Sequence, residues 1–258
     1  MSLQDKVVVV TGASSGIGAM AAQMLSERGA IVVLAARSLD KLEQVALKLK
    51  GPHRLVKMDV GDDASVESGF KGIFAEFGRV DCLLNNAGYG KFEYLDRMPT
   101  SEFAEMMNVN YMGMVRCTQA VLPAMKSARS GRIVNVASIA GKIGTAKSTA
   151  YTATKHAVIG FSSALRQEIR EYGITVSTIN PGPIDTEFFN IADPDGGYVQ
   201  NVRWMMLKPE RVARAMVQAV EKGMLEINLP WIAGVGTKWY HMFPRLADRL
   251  TYKVMNKK

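Results

Sequence analysis

The sequence predicts an α/β fold, a doubly wound parallel sheet of about seven strands with helices on both faces. Two observations support this prediction. Short β-branched apolar runs alternate with longer amphipathic runs, and the first apolar run leads directly into a glycine-rich turn. Strands separated by helices are typical of right-handed crossovers, which produce parallel strands. Because no Pro-, Gly- or Ser-rich linker interrupts the chain, we expect one domain spanning residues 1–258.

The predicted strands are short and rich in Val, Ile and Leu. The first reads KVVVVT, a continuous apolar run of the kind that is buried on both faces of a sheet. The seven strands are predicted over residues 6–11, 31–35, 54–58, 81–85, 131–137, 174–179 and 225–229.

The predicted helices carry apolar residues at helical spacing. The helix that starts at residue 149 is closed by Gly173, and a later helix begins on Pro209, where proline favours a helix start. The helices are predicted over residues 16–28, 39–50, 64–77, 101–125, 149–172 and 209–222.

Composition narrows the class of protein. The two cysteines, Cys82 and Cys117, fit buried thiols in a reducing compartment better than a disulfide framework. No His or Cys cluster has metal-ligand spacing, so we expect no metal site. Charged residues precede the first four valines, which favours a core strand over a signal peptide, and no apolar stretch reaches the length of a membrane span. We therefore expect a cytoplasmic protein.

The net charge of +8 leaves several partners open. A basic excess suits nucleic acid, anionic lipid, an acidic protein or a phosphorylated cofactor, and it equally suits a solvated basic surface. Nucleic-acid binding has no support in the sequence besides this charge, so we do not expect the protein to bind nucleic acid.

The turn after the first strand has the chemistry of a phosphate cradle. It reads Thr11-Gly12-Ala13-Ser14-Ser15-Gly16-Ile17-Gly18. Glycines let the backbone approach a pyrophosphate closely, and the N–H groups at the start of the following helix point at that anion.

These glycines resemble the TGxxxGIG motif of the short-chain dehydrogenase/reductase family, and further motifs follow in the family's order. The resemblance extends from residue 6 to about residue 229 and implies a Rossmann-type fold. The matching residues are Asn85-Asn86-Ala87-Gly88 after the fourth strand, Asn110, Ser138 after the fifth strand, the pair Tyr151-x-x-x-Lys155, and Pro181-Gly182 after the sixth strand.

The end of the second strand predicts the cofactor. NAD sites place a carboxylate there, whereas this chain has Ala36 followed by Arg37, and a guanidinium suits the 2′-phosphate of NADP(H). Many NADP-binding members carry a second basic residue in the glycine loop, where this chain has Ser15. By resemblance, Asp59 and Val60 flank the adenine. The other residues expected at the cofactor are Gly12, Ser14, Ser15, Gly16, Ile17, Gly18, Asn86, Ala87, Gly88, Tyr151, Lys155, Pro181, Gly182, Ile184 and Thr186.

Tyr151 and Lys155 are four residues apart in a predicted helix and therefore share a face. An ammonium about 4 Å from the phenol contributes on the order of 4 kcal/mol at a dielectric of about 20, so we expect a lowered pKa for Tyr151. Such a phenol exchanges a proton with a carbonyl or alcohol oxygen. Ser138 would bond the same oxygen, and the resemblance implies that Lys155 binds the nicotinamide ribose and that Asn110 holds a relay water.

Taken singly, Tyr151, Ser138 and Asn110 each have an ordinary structural explanation. Together with Lys155 they predict hydride transfer between nicotinamide and a carbonyl or alcohol. A non-enzymatic NADP-binding regulator is the alternative from another class, although a regulator has no chemical need for all four.

A segment at about residues 185–207 is expected to bind the substrate. Its large side chains suit an apolar pocket for a bulky ketone or aldehyde, or equally packing onto the core. The end of the chain lacks the VDGG-like stretch of 3-oxoacyl reductases and resembles the ketone- and steroid-reducing branch, so a 3-oxoacyl-carrier reductase is the second candidate. The large side chains are Phe188, Phe189, Tyr198, Trp204, Met205 and Met206.

Residues 231–258 form a basic extension with a net charge of +5. From Pro244 the pattern predicts an amphipathic helix, with Leu246, Leu250 and Val254 on one stripe. A parallel basic stripe holds Arg245, Arg249 and Lys253. The helix suits weak peripheral contact with a membrane, contact with a partner subunit, or a cover for the chain's own core. By resemblance, the long helices at 101–125 and 149–172 pair across a dimer axis, so we expect a homodimer or homotetramer.

Overall fold

Seven parallel strands form a single sheet through the centre of the computed structural model, which describes residues 1–247 and residue 249. The strand order is β3-β2-β1-β4-β5-β6-β7, so the winding direction reverses between β1 and β4. The predicted fold class is therefore confirmed. The strands are β1 (Val7–Thr11), β2 (Ile31–Ala36), β3 (His53–Lys57), β4 (Cys82–Asn85), β5 (Gly131–Val136), β6 (Ile174–Pro181) and β7 (Glu226–Leu229).

Helices cover both faces of this sheet. Helices α1, α2 and α9 pack on one face, and α3, α5 and α6 pack on the other. The bounds are α1 (Gly16–Ser26), α2 (Leu39–Ala46), α3 (Asp63–Phe77), α4 (Thr100–Met107), α5 (Gly113–Ala128), α6 (Thr149–Glu168), α7 (Phe188–Ala192), α8 (Gly197–Val202), α9 (Pro209–Lys222) and α10 (Trp231–Met242). Within the described residues, no helix has both the length and the hydropathy to cross a bilayer.

The valines of β1 show why this strand lies at the centre. Side chains alternate along a strand, so Val8 and Val10 enter the core under α1 and α9 while Val7 and Val9 enter the core under α3 and α5. All four are at most 2% exposed. Each such burial contributes on the order of 1.5–3 kcal/mol, which favours the middle of the sheet over an edge.

The predicted single helix over residues 101–125 is wrong in its middle. Helix α4 ends at Met107, a π-helical turn covers Asn108–Met112, and α5 starts at Gly113. An added Cβ on Gly113 would lie 2.7 Å from Cγ2 of Val60, so α5 comes closer to the loop after β3 than another residue would allow. Periodicity does not reveal a π turn because the turn adds only one residue to the helical spacing.

Other helix ends also differ from the predictions. The helices predicted to reach residues 28 and 50 end at Ser26 and Ala46. The helix predicted over 149–172 ends at Glu168 and continues as a 3-10 turn over Arg170–Tyr172. Gly173, with φ of 67°, then stops it as expected.

The C-terminal part departs most from the prediction. Two short helices, α7 and α8, occupy the segment expected to bind substrate. Helix α10 covers residues of the basic extension for which no helix was predicted, because its glycines and threonine conceal the helical pattern. Residues 244–247 are helical, as predicted from Pro244 onward. Asp248, Leu250, Lys253 and Val254 lie outside the described residues, so the predicted stripes stay untested there.

Candidate active site

The predicted site residues gather at the carboxyl edge of the sheet. Loops that follow parallel strands emerge on one side, and the order of the strands places those after β1, β4, β5 and β6 next to each other. Gly12–Gly18 follow β1, Arg37 follows β2, Asp59 and Val60 follow β3, Asn86–Gly88 follow β4, Ser138 follows β5, and Gly182–Thr186 follow Pro181 at the end of β6.

The glycine loop after β1 requires glycine at specific positions. Gly12 and Gly16 have φ of 65° and 56°, the left-handed region that side chains disfavour. An added Cβ on Gly18 would lie 2.4 Å from Nδ2 of Asn86 and 2.5 Å from the carbonyl oxygen of Gly12. The loop therefore packs backbone against backbone.

Asn86 fastens this loop to the end of β4. Its Nδ2 donates to the carbonyl oxygens of Thr11 and Gly12 at 3.0 and 3.1 Å. In return, the hydroxyl of Thr11 accepts from the backbone N–H groups of Asn86 and Ala87 at 3.0 and 3.1 Å. Thr11 is thus a positioning residue that the sequence reasoning passed over, although it begins the glycine motif.

The space beside the loop fits a dinucleotide pyrophosphate. An added Cβ on Gly16 would meet nothing closer than Cγ2 of Thr186 at 4.0 Å, so the groove between the two loops is open. Helix α1 starts with no acidic residue in its first turn, and the side chain of Ser15 makes no capping bond. Its first N–H groups therefore face the groove as an anion-binding end. Ser14 and Ile17 are half-buried beside it.

A cation lies at the end of β2, where the adenosine of a dinucleotide would bind. Arg37 is exposed at the end of β2 and forms no ion pair with any residue that the structure describes. The carboxylate of Asp59 accepts from the N–H of Gly61 at 2.9 Å. The side chain of Val60 is buried, which leaves mainly Asp59 and the backbone open to a base.

Lys155 lies at the centre of the site. It is 5% exposed, and its Nζ donates to the carbonyl oxygen of Val136 at 2.9 Å. An added Cβ on Gly88 would lie 3.7 Å from this Nζ, so the ammonium faces the loop after β4. No carboxylate among the residues that the structure describes forms an ion pair with it, and burial lowers the pKa of Lys155 to about 8.

Tyr151 shares a face of α6 with Lys155, as the spacing predicts. The Nζ of Lys155 lies 5.6 Å from the centroid of the Tyr151 ring. The predicted effect on the phenol is wrong for this structure: burial raises the pKa of Tyr151, and its hydrogen bond with Ser138 opposes that rise only in part. Desolvation of the phenol is therefore the largest effect on its pKa.

Ser138 joins the ends of two strands next to Tyr151. Its Oγ accepts from the N–H of Ala140 at 3.0 Å and lies 3.3 Å from the carbonyl oxygen of Pro181, to which it donates. Its hydrogen bond with Tyr151 brings the hydroxyl groups of Ser138 and Tyr151 next to each other. A carbonyl oxygen bound there would meet both.

The π turn directs Asn110 into the site. Its Oδ1 accepts from the N–H of Tyr89 at 2.9 Å, and its Nδ2 donates to the carbonyl oxygen of Tyr89 at 2.8 Å. The same Nδ2 donates to Thr154 at 3.1 Å, and Thr154 donates to the carbonyl oxygen of Tyr151 at 2.8 Å. Asn110 and Thr154 thus connect the loop after β4 to α6; Thr154 had no sequence signal of its own.

An aromatic cluster surrounds the Tyr151 ring. We use this name for Phe92, Tyr151, Phe188, Phe189 and Tyr198. The centroid of Tyr151 lies 5.7 Å from Phe188 and 6.1 Å from Phe92, and Phe92 lies 5.1 Å from Tyr198. Burial raises the pKa of Tyr198 to about 12. The sequence reasoning missed Phe92, which lies in an irregular stretch without periodicity.

The predicted large residues of the substrate segment divide into two groups. Phe188, Phe189 and Tyr198 join the aromatic cluster, which serves packing and site walls at once. Trp204 and Met205 are exposed, at 80% and 41%, and Met206 is half-buried. Ile184 packs on the core and pairs with Leu207.

Comparisons with known proteins agree on one family. The model of the short chain dehydrogenase family matches residues 6–195. An uncharacterized oxidoreductase (SSP1627) of Staphylococcus saprophyticus is 37% identical over 226 residues, which is 86% of this chain and 92% of the relative. A 3-oxoacyl-[acyl-carrier-protein] reductase of Vibrio cholerae is 40% identical over 187 residues, covering 72% of this chain and 77% of the relative.

Solved structures agree over nearly the whole chain. A short-chain dehydrogenase from Streptomyces avermitilis has a TM-score of 0.84 at 28% identity, with 98% of both chains covered. Levodione reductase has a TM-score of 0.80 at 27% identity, with 88% of this chain and 96% of the other covered. The chain therefore belongs to the short-chain dehydrogenase/reductase family and is an oxidoreductase of the kind that acts on CH–OH groups.

Proposed function

We propose that this protein uses NADPH to reduce a bulky, apolar ketone or aldehyde, with Tyr151 as the proton donor. One observation carries the proposal: the hydroxyl groups of Tyr151 and Ser138 lie together beside the open groove of the glycine loop, and the rings of the aromatic cluster pack around Tyr151. In this arrangement, a carbonyl carbon can face the groove while its oxygen meets two hydroxyl groups.

The protein's part in the reaction is to hold the oxygen and move a proton. Bound in the groove, the nicotinamide would supply the hydride. Ser138 would exchange its bond to the carbonyl oxygen of Pro181 for one donated to the substrate's carbonyl oxygen, and Tyr151 would transfer its proton there as negative charge develops. Burial raises the pKa of Tyr151, so the phenol carries the proton that this step requires. Lys155, with its pKa near 8, stabilises the resulting phenolate and can exchange its proton near neutral pH.

The choice of NADP(H) rests on Arg37. A phosphate on the adenosine ribose would lie at the end of β2, where Arg37 is exposed and no acidic side chain occupies the position. A guanidinium bonds phosphate in two places, and its charge has no partner among the described residues. NADH would leave this charge without a ligand.

The aromatic cluster supports a bulky apolar substrate. Its rings offer flat apolar surface next to the proton donor, which suits a cyclic or aromatic group beside the carbonyl. A 3-oxoacyl carrier substrate is the second candidate, supported by the 40% identity to the 3-oxoacyl-[acyl-carrier-protein] reductase of Vibrio cholerae. The two candidate substrates differ in the shape of the apolar group that would contact these rings.

We also propose a homodimer or homotetramer that forms through α6. The exposed side of this helix carries small residues at helical spacing, which allows a second helix to approach closely. Light scattering coupled to size exclusion measures the mass directly. The small residues are Ala153, Gly160, Ser163 and Ala164.

The test compares two phenols of the same cluster. NADPH consumption is followed by absorbance with cyclic ketones, aromatic aldehydes and a 3-oxoacyl thioester. Tyr151→Phe retains the ring and should lose about a thousandfold or more in kcat. The matched control Tyr198→Phe removes a phenol that is not the proposed proton donor and should lose less than about tenfold.

Three outcomes would contradict the proposal, the last of them only in its substrate class. Equal losses in the two variants would remove the distinct role of Tyr151. Tight NADPH binding without turnover of any compound would favour the regulator hypothesis. Turnover of the 3-oxoacyl thioester alone would replace the substrate class by the second candidate.

A further inference from the structure

Helix α10 carries its apolar side on the outside. Trp231 and Met242 are 71% and 70% exposed, and Ile232, Val235 and Trp239 are exposed as well. The side that faces the protein is formed instead by small or polar residues, with Gly234 and Thr237 buried. A surface helix in water normally shows the opposite arrangement, because its apolar stripe packs on the core.

The exposed apolar residues form one continuous stripe. At about 100° per residue, the five fall within an arc of about 100° of the helix circumference. Phe243 and Leu246, each about half exposed, extend the stripe beyond the end of α10. We call this surface the tail face: Trp231, Ile232, Val235, Trp239, Met242, Phe243 and Leu246. A continuous apolar patch of this kind marks a contact surface.

Basic residues border the tail face. Lys238 lies about 20° from Trp231 around the helix, and Arg245 and Arg249 are exposed beyond its end. Residues 231–258 hold six Lys and Arg against the single acid Asp248. The partner of this surface must therefore accept apolar side chains and be negatively charged around them.

Charge decides between the two occupants that an apolar helix face suggests. A second copy of this chain would pair the same patch with itself, because a two-fold interface is self-complementary. That arrangement brings two extensions of net charge +5 together. An anionic lipid surface attracts each of these cations, and tryptophan is enriched at the boundary between headgroups and acyl chains.

We propose that the tail face docks the protein onto an anionic membrane surface, with α10 lying in the plane of the interface. Two tryptophans and three large aliphatic side chains of α10 enter the headgroup boundary, and Lys238, Arg245 and Arg249 meet lipid phosphates. Contact of this kind is peripheral and reversible.

The position of α10 relates this surface to the candidate active site. The helix follows directly after β7, and Leu229 at the end of β7 accepts from the N–H of Gly182 at 2.7 Å. Helix α10 also packs against the 3-10 turn Ile139–Gly141, which follows Ser138. If the proposed function holds, an apolar substrate dissolved in the bilayer would lie beside its site; docking itself does not depend on that function.

The test is flotation of the full-length protein with phosphatidylcholine vesicles, with and without about 30% phosphatidylglycerol. We expect at least about tenfold more bound protein on the anionic vesicles. About 0.5 M NaCl, where the Debye length is about 4 Å, should remove most of it. The emission of Trp231 and Trp239 should shift to shorter wavelength on binding.

Matched variants separate the tail face from general effects. Val235→Glu should reduce binding at least tenfold, whereas Leu47→Glu should bind like the wild type; Leu47 is 79% exposed at the end of α2, beside the opposite edge of the sheet. The triple variant Lys238→Gln/Arg245→Gln/Arg249→Gln changes only exposed side chains, so it should fold and bind roughly tenfold more weakly.

Three results would overturn the proposal. These are wild-type protein that floats with neither vesicle, equal binding by Val235→Glu and Leu47→Glu, and a triple variant that binds like the wild type. A lipid-free oligomer that Val235→Glu dissociates, with no vesicle binding, would assign the tail face to a second copy instead.

Discussion

The two sides of the carboxyl edge are built on different principles. On the cofactor side, the shape comes from backbone: Gly12 and Gly16 adopt positive φ, and Asn86 bonds the loop carbonyls. On the substrate side, the shape comes from rings that four separate segments contribute, Phe92 among them. A binding loop whose shape depends on the backbone tolerates few substitutions, whereas a surface formed by side chains can change one residue at a time. We therefore expect changes on the first side to abolish function and changes on the second side to redirect it.

The largest effect is expected from Gly18→Ala. Its Cβ would overlap Nδ2 of Asn86 and the carbonyl oxygen of Gly12, neither of which can move without opening the loop. We expect a loss of about 2–3 kcal/mol in unfolding free energy and no measurable NADPH binding. Denaturant unfolding and fluorescence titration with NADPH provide the two measurements.

Two further glycines sharpen this expectation. Gly16→Ala meets open space but keeps a positive φ, so it should cost only about 1 kcal/mol of stability while blocking the groove. Gly236→Ala in α10 meets nothing within 4 Å and should leave both stability and binding intact or improved. A Gly18→Ala protein that binds NADPH normally would contradict a loop shape that depends on the backbone.

The second prediction concerns the cation at the adenosine end. Arg37→Ala removes a charge-assisted bond to the 2′-phosphate, so the Kd for NADPH should rise by about 10–100-fold while that for NADH stays the same. Titrations with both cofactors measure this difference. Lys41→Ala, an exposed cation on the adjacent helix, is the control and should change neither. Equal weakening of NADH and NADPH by Arg37→Ala would argue against phosphate recognition.

The third prediction follows from the buried ammonium between the two sides. The folded protein lowers the pKa of Lys155 from 10.5 to about 8, so below pH 8 folding buries a charge that the unfolded chain hydrates. The penalty is complete below pH 8 and disappears as pH rises to 10.5. Lys155→Met should therefore be more stable than the wild type by about 1–3 kcal/mol at pH 7, and the difference should shrink above pH 8.

Denaturant unfolding from pH 7 to pH 10 measures this difference. The exposed residue Lys71 gives the control, because Lys71→Met relieves no burial and should show no such trend. A stability gain of Lys155→Met that grows with pH would reverse the assigned sign.

The smallest effect is expected in the aromatic cluster. Phe188→Ala removes the ring nearest to Tyr151 and opens space between Tyr151 and Gly90. Selectivity, as the ratio of kcat/KM for a large over a small ketone, should change by about five- to tenfold. Ile191→Ala, on the exposed side of the same helix, should leave the ratio unchanged. A loss in kcat for all substrates alike would mean that Phe188 positions Tyr151.

Some parts of the chain could be predicted from the sequence and others could not, and the difference has a physical reason. The strands, the glycine loop and the pair Tyr151 and Lys155 depend on local spacing, and the structure places them as the patterns indicate. The π turn at Asn110 and the helical nature of residues 231–242 had no clear local signal. Both depend on contacts with distant segments, such as Tyr89 for Asn110.

The sequence by itself determined the fold class and the family and named the candidate residues of the site, because hydrophobic alternation and short motifs are local properties of the chain. Only the tertiary structure decided the protonation of the site and the exposed faces. Desolvation raises the pKa of Tyr151 and lowers that of Lys155, and desolvation depends on every element packed around a group. The outward face of α10 likewise appears only when β7 and the turn after Ser138 define which side of the helix is buried.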